Sequence, residues 1–360
     1  MGHALPLAAE SRTGDEAVLR PPPGLRAPRG PLCDADGRSI LYARISVTDR
    51  CDLRCVYCMP EGGERDHGTR PEILTFEEIA RLVRILARGG VRRARFTGGE
   101  PLLRKDIVEL VSLVHGFAPA VDLCLTTNAT RLERYAADLF RAGLRRLNVS
   151  LDTIDPDRFR ALTRGGDVGR VVEGIDAACR AGFSDVAVNI VALRGRNDDE
   201  FGTLVDWAWA RGLVPRFIEP MPIGEGSKLP PSEGIGWREI AVRLGPRVAL
   251  DGTDRPEGRG PAFYVPAADG SARRVGFITA VTENFCETCN RIRVTAKGDL
   301  RACLASRRAI SLRDAMRLGK GDDEILGQVA WGLGQKDAGH QFETAGAEEH
   351  TRVGMSLVGG

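Results

Sequence analysis

Between residues 40 and 221 short apolar runs alternate with amphipathic stretches. ILYARISVT (40–48), VRRARFT (91–97), VDLCLTTN (121–128), RRLNVSLD (145–152), VAVNIVAL (186–193) and VPRFIEPM (214–221) read as strands, rich in β-branched and apolar residues. TFEEIARLVRILARGG (75–90) reads as a helix, because Ile79, Leu82, Val83 and Leu86 fall on one face. Thr75 and Glu78 form its capping box, and Gly89-Gly90 ends it. Further helices are expected near 105–117, 131–142, 155–163, 168–181 and 198–211. Six strand–helix repeats imply a parallel sheet with helical crossovers. A closed barrel of this kind takes more units. The expected fold class is therefore α/β, an incomplete (β/α)6 TIM-like barrel, with an open doubly wound sheet as the alternative. In both, ligands gather at the carboxyl ends of the strands.

The flanks differ in texture. Residues 1–38 include PPPGLRAPRGP (21–31) and are expected to be a disordered extension. Beyond residue 222 glycine and proline rise and the rhythm stops, which marks a second domain over 223–340 and a tail over 341–360. Fifty-one basic against 49 acidic residues give a net charge of +2, which speaks against a nucleic-acid-binding surface but leaves room for a local basic pocket. No apolar run approaches the ~20 residues of a membrane helix, and MGHALPLAAESRTGDEAV lacks a signal-peptide pattern. A cytoplasmic setting is the expectation, and clustered cysteines there point to metal or redox chemistry.

Nine cysteines are present, and three of them, Cys51, Cys55 and Cys58, stand in CDLRCVYC just after the first strand. Three thiolates from one loop can hold three corners of a cubane iron–sulfur cluster and leave one iron open. Structural zinc would take a fourth protein ligand, for which His67 is the nearest candidate. Cys286, Cys289 and Cys303 form a second trio, for which zinc with the distant His340 is the alternative to a second cluster with an open iron. Cys33, Cys124 and Cys179 have no partners at metal spacing, and the latter two are expected to serve packing.

The Cys-x3-Cys-x2-Cys loop, with Tyr57 before its last cysteine, resembles that of the radical S-adenosylmethionine (SAM) enzymes. The resemblance implies a 4Fe–4S cluster whose open iron chelates SAM. TGGEP (97–101) after the second strand fits it, and Tyr57, Gly99, Ser150 and Met221 match the SAM contacts of such enzymes. FCETCNRIRVTAKGDLRACL (285–304), RFIEPM and the terminal Gly359-Gly360 narrow the resemblance to the molybdenum cofactor biosynthesis protein A group, the GTP 3′,8-cyclases. This implies a second 4Fe–4S cluster, GTP between the two clusters, hydrogen abstraction from C3′ and attack of C3′ on C8 of the guanine. Arg44, Arg95, Thr126, Arg291 and Arg293 match its GTP contacts, Arg93 and Arg216 are weaker candidates, and the diglycine tail is implied to be needed for activity. Two positions depart from the pattern: an expected lysine is Ala187, and the usual glycine after TTN is Ala129.

The implied partners are GTP, an electron donor, a downstream cyclic pyranopterin monophosphate synthase and a second copy in a homodimer, with no nucleic acid and no membrane. The alternatives are another two-cluster radical SAM enzyme that modifies a peptide, and a metal-stabilised nucleic-acid-binding module. The sequence leaves the physiological reductant, the effect of Ala187 and the role of the N-terminal extension open.

Overall fold

The structure is a computed structural model, and it describes residues 9–11, 17–64, 67–256, 260–340, 342 and 354–358. Two short strands, β1 (Ala9–Ser11) and β2 (Ala17–Leu19), precede the repeats. The repeats open with β3 (Tyr42–Ser46), α1 (Phe76–Arg88), β4 (Arg93–Thr97), α2 (Ile107–Phe117) and β5 (Asp122–Thr127). They continue with α3 (Leu132–Arg141), β6 (Arg146–Ser150), α4 (Pro156–Thr163), α5 (Val168–Arg180), β7 (Asp185–Val191), α6 (Phe201–Ala210) and β8 (Val214–Ile218). The remainder holds α7 (Trp237–Leu244), β9 (Phe263–Pro266), β10 (Arg274–Ile278), β11 (Arg291–Val294), β12 (Asp299–Arg301), β13 (Arg308–Ser311), α8 (Leu312–Arg317), α9 (Asp322–Leu333) and α10 (Met355–Val358).

Local chemistry explains the repeats. Thr75 Oγ1 accepts from Glu78 N, and Glu78 Oε2 accepts from Thr75 N at 2.8 Å, so α1 starts on the expected capping box. Asp155 caps α4 and Pro156 opens it. The apolar faces of α1 to α6 bury Leu82, Leu110, Leu139, Phe159, Ile175 and Leu204 in the core. Helices cover one face of the sheet, and the other face carries Arg44, Arg95, Asn148, Asn189 and Arg216 into the cavity described below.

β3 to β8 are parallel neighbours in sequence order, and the sheet is open, not a closed barrel. The C-terminal part extends both edges. β10 pairs in parallel with β8, and β11 pairs in parallel with β3. The 279–290 linker therefore leaves the carboxyl end of one edge strand and returns to the amino end of the other. It carries Cys286 and Cys289 to the end of the sheet opposite Cys51. Cys303 follows β12, which is antiparallel to β11, so it emerges at that same end. At ~3.3 Å per residue, strands of this length separate the two thiol trios by about 15–20 Å.

Residues 17–38 depart from the expectation of a disordered extension. β2 pairs with β13, Leu32 is fully buried, and the carbonyl of Arg26 lies against Gly327 of α9. The parts of that segment at 1–8 and 12–16 lie outside the described residues. α9, unmarked by the sequence pattern, buries Ile325, Val329 and Leu333 and docks on α1 through Arg81 and Arg84 to Asp322. Among the described residues, no helix is long and apolar enough to cross a membrane.

Candidate active site

One cavity of about 290 Å³ runs through the sheet's concave side and is lined by all six clustered cysteines. Cys51, Cys55 and Cys58 line one end, and Cys286, Cys289 and Cys303 the other. Tyr57, Gly99, Ser150, Met221, Arg44, Arg95, Thr126, Arg291 and Arg293 also line it, so the structure brings the expected SAM and GTP contacts into one space. Arg216 lines it too.

The first thiol loop is folded by short-range bonds. Cys58 N and Met59 N donate to the Cys55 carbonyl, and Leu53 N points at Cys51 Sγ from 3.5 Å. Burial pushes all three thiols up, Cys58 to about 12, with Glu64 adding to it. A metal displaces such a proton on binding, so ligation and deprotonation are coupled here. Tyr57 Oη donates to Asp152 Oδ2 at 2.6 Å, and Val191 N donates to Asp152 Oδ1 at 2.8 Å. Burial raises Asp152 to about 6, against the pull of those two donors. Glu100, fully buried, accepts from Asn128 N, Leu102 N and Thr127 Oγ1, and burial raises it to about 7.

The glycines of TGGEP also make close contacts within the chain. A Cβ on Gly99 would stand 2.3 Å from the Arg50 carbonyl oxygen, and one on Gly98 2.3 Å from that of Thr48. Gly99 N and Glu100 N donate to those same two carbonyls. The missing side chains thus let the turn clasp the backbone that leads into the first cysteine loop.

Between the two thiol groups lies a row of arginines. Register places Arg293 beside Arg44, and Arg44 beside Arg95, on three adjacent parallel strands. Burial lowers Arg44 to about 10, with Arg95, Arg291 and Arg216 adding repulsion. Burial, then Arg44 and Arg291, push Arg293 well below its ordinary value. Tyr42 steadies Arg95, whose Nε donates to its hydroxyl and whose Nη1 reaches Thr126 Oγ1 at 3.4 Å. Arg216 Nε donates to Asn189 Oδ1 at 3.1 Å, while its buried Nη2 has no hydrogen-bond partner among the described residues. A cavity wall built from mutually repelling, desolvated guanidinium groups is stabilised by an anion with several charges.

At the far end, Arg291 Nη2 lies 3.6 Å from Cys289 Sγ and its guanidinium stacks over Phe285. Burial opposes ionisation of Cys289, but Arg291 and Lys336 outweigh it and lower the thiol. A backbone N–H of His340 points at Cys286 and works against the rise that burial imposes. Sulfurs that receive N–H donors in a cationic setting fit iron–sulfur ligands. Among the described residues, no three His, Cys, Asp or Glu side chains converge on one point as single-ion zinc ligands do. His340 lines the cavity and stacks on Phe342, and His67 pairs with Asp49 instead of joining the thiols.

The tail comes back to this site. Val358 is buried and its carbonyl accepts from Arg293 Nη1 at 3.3 Å, while Ser356 Oγ faces Glu64 of the first cysteine loop. Gly359 and Gly360 lie outside the described residues. Ala129 is buried with φ +60°, in the left-handed region, which gives the physical reason a glycine suits the position. Ala187 pairs with the cavity-lining Asn148, so its methyl group faces the lumen where a lysine was expected. Sequence reasoning missed Tyr42, Asp152 and Glu100. Tyr42 was visible as the i−2 neighbour of Arg44, on the same strand face.

Comparison with known proteins agrees with this geometry. Residues 45–208 match the Radical SAM superfamily, and residues 214–342 match Molybdenum Cofactor Synthesis C. The chain is similar to GTP 3′,8-cyclase 1 of Pseudomonas aeruginosa, 44% identical over 328 residues that cover 91% of this chain and 98% of that one. It is 46% identical over 344 residues to the GTP 3′,8-cyclase of Caulobacter vibrioides, covering 93% of this chain and 96% of that one. In fold it resembles SuiB of Streptococcus suis bound to S-adenosylmethionine, with TM-score 0.56 and 15% identity over 74% of this chain and 60% of that chain. Shared sequence over nearly the whole length, with both thiol trios facing one arginine-lined cavity, makes this chain a member of the GTP 3′,8-cyclase family of radical SAM proteins.

Proposed function

We propose that this protein converts GTP to (8S)-3′,8-cyclo-7,8-dihydroguanosine 5′-triphosphate, the first step of molybdenum cofactor biosynthesis. The single observation that carries the reading is the Arg293–Arg44–Arg95 row lying between two thiol trios in one cavity. Cys51, Cys55 and Cys58 would hold one 4Fe–4S cluster and Cys286, Cys289 and Cys303 the other, in keeping with the donors aimed at their sulfurs. With SAM bound beside it, the first cluster would supply one-electron chemistry that turns SAM into a source of a 5′-deoxyadenosyl radical.

The chain's own residues bind and orient. Gly99, Ser150 and Met221 line the SAM end, and Tyr57 is fixed there by Asp152. Arg44, Arg95 and Arg293, with Arg216, carry the triphosphate, where forked guanidinium donors match phosphate oxygens. Thr126 sits within reach of Arg95 and orients it. Arg291 lies next to the second trio and serves the guanine end of the substrate. Gly359 and Gly360 would continue from Val358 and act at the active site, where Arg293 already holds the tail.

The same reading brings an electron donor, transfer of product to a cyclic pyranopterin monophosphate synthase, a cytoplasmic setting and a homodimer. It also treats 39–222 and 223–340 as the two halves of one site, with 341–360 as a functional tail. The test is anaerobic incubation of the cluster-loaded protein with SAM, dithionite and GTP. 5′-Deoxyadenosine formation that requires GTP, with a cyclised nucleotide isomeric with GTP (one hydrogen atom lost to deoxyadenosine, one electron and one proton regained from the reductant and solvent), supports the proposal. Radical formation that is indifferent to GTP overturns it.

A further inference from the structure

Behind the second thiol trio lies a buried charge cluster that none of the expected contacts includes. Asp34 Oδ2 accepts from Arg38 Nε at 2.7 Å and pairs with Lys336 Nζ at 2.9 Å. The side chains of Asp34 and Lys336 are 0% and 2% exposed. Each cation then grips the backbone of a thiol residue. Arg38 Nη1 donates to the Cys286 carbonyl at 2.7 Å, and Lys336 Nζ donates to the Cys289 carbonyl at 3.0 Å. Arg38 also donates to the Ala338 carbonyl at 2.7 Å, which ties the chain after α9 to the same knot.

We propose that Asp34, Arg38 and Lys336 are positioning residues that fix Cys286 and Cys289 for the second cluster and set its reduction potential. The inference rests on the reading that this trio holds an iron–sulfur cluster. Arg38 is balanced again by Asp36 at 2.9 Å, but Asp36 is half exposed and screened by solvent, whereas Lys336 is a buried cation held against the cysteine loop. A reduced cluster carries one more negative charge than an oxidised one, so a nearby fixed cation stabilises the reduced form. The carbonyl grips also hold the two thiols at the register the short 3-10 turn Cys286–Thr288 requires. Asp34 is the keystone: burial opposes its ionisation, but Lys336 and Arg38 hold its carboxyl below the usual range. The turn that presents it is closed by Arg38 N and Asp36 N donating to Asp34 Oδ1.

The test uses the full-length protein, anaerobically reconstituted, as Lys336→Met, Lys336→Arg and Asp34→Asn. Each is titrated electrochemically with EPR detection and challenged with an iron chelator, and the first cluster serves as the reference within the same molecule. The expected result for Lys336→Met is a more negative potential for the second cluster alone. Its iron should also be lost faster, on the order of ten- to a hundred-fold, the range found for partners behind metal ligands. Lys336→Arg should restore the potential, and Asp34→Asn should release second-site iron while the first cluster stays. A Lys336→Met protein whose second cluster keeps the parent potential and iron retention overturns the clamp. A misfolded variant reveals itself by losing both clusters, and Lys336→Arg then decides: a parent-like potential supports the inference and a shifted one overturns it. If the unmodified protein holds only one cluster, the underlying reading fails instead, and the iron count separates that outcome from failure of the clamp.

Discussion

Arg44→Met tests the arginine row from two sides at once. Arg44 is the middle cation, with Arg293 on one flank and Arg95 on the other. At a spacing of about 5 Å and an effective dielectric near 20, each neighbour repels it by about 3 kcal/mol. Burial first, and the neighbouring guanidinium groups after it, depress its guanidinium from 12.5 to about 10, about 3 kcal/mol in all at ~1.4 kcal/mol per pH unit. The sign follows from a folded value below the unfolded one. At neutral pH the group is charged in both states, so the folded chain bears the full penalty, which fades only as pH rises through about 10. Arg44 is partly exposed, and solvent screening reduces the net effect to about 1–2 kcal/mol. Arg44→Met should therefore stabilise the ligand-free protein by a few degrees, about 2–4 °C in melting temperature. The same change removes a cavity-lining partner of phosphate, for which a loss of about 2 kcal/mol or more is usual, a weakening of GTP binding on the order of thirty-fold. The assays are scanning calorimetry without ligand and anaerobic isothermal titration of the cluster-loaded protein with GTP. A melting temperature that falls, or a GTP Kd within about three-fold of the parent, would refute the reasoning.

Three further outcomes follow from single contacts. Tyr57→Phe removes the donor to buried Asp152 and should destabilise the ligand-free protein by about 1–3 kcal/mol. Because Asp152 is raised to about 6, its folded state binds protons more tightly than the unfolded chain, so the deficit should be larger in melts at pH 8 than at pH 5; an equal deficit contradicts the assignment. Ala129→Gly relieves a left-handed φ and should raise stability by about 0.5–1 kcal/mol in urea unfolding, whereas a loss of stability would show that its buried methyl group matters more. Cys286→Ala should halve the iron content and abolish cyclisation while SAM cleavage persists, as measured by iron assay and chromatography of 5′-deoxyadenosine; unchanged product would remove the second trio from the mechanism.

The parallel core was legible because each of its signals is local. The Thr75–Glu78 box, the spacing of Ile79, Leu82, Val83 and Leu86, and the apolar runs at 121–128 and 186–193 need only their near neighbours to be read. The thiol trios were legible for the same reason, and the family resemblance placed the arginines. What could not be read was set by partners far along the chain. Nothing around Asp34 announces Lys336, and the proline-rich run before it reads as a leader although Leu32 is fully buried against the body. α9 escaped because it is buried on several sides, with Gly327 and Gly332 packed against Arg26 and Ile310, so no clean amphipathic stripe forms. TGGEP was placed correctly, and the approach of its glycines to the Thr48 and Arg50 carbonyls is set by residues distant along the chain. The sequence shows that two glycines are there, but only the fold shows what approaches them.

The central claim is that the cavity holds GTP with its ribose presented to the SAM end and its triphosphate on the arginine row. The most direct measurement is anaerobic turnover with GTP deuterated at C3′, followed by mass analysis of the 5′-deoxyadenosine. The account predicts that the deoxyadenosine gains one deuterium and that the nucleotide product carries a C3′–C8 bond. Deoxyadenosine without deuterium, or formed at the same rate when GTP is left out, would contradict it.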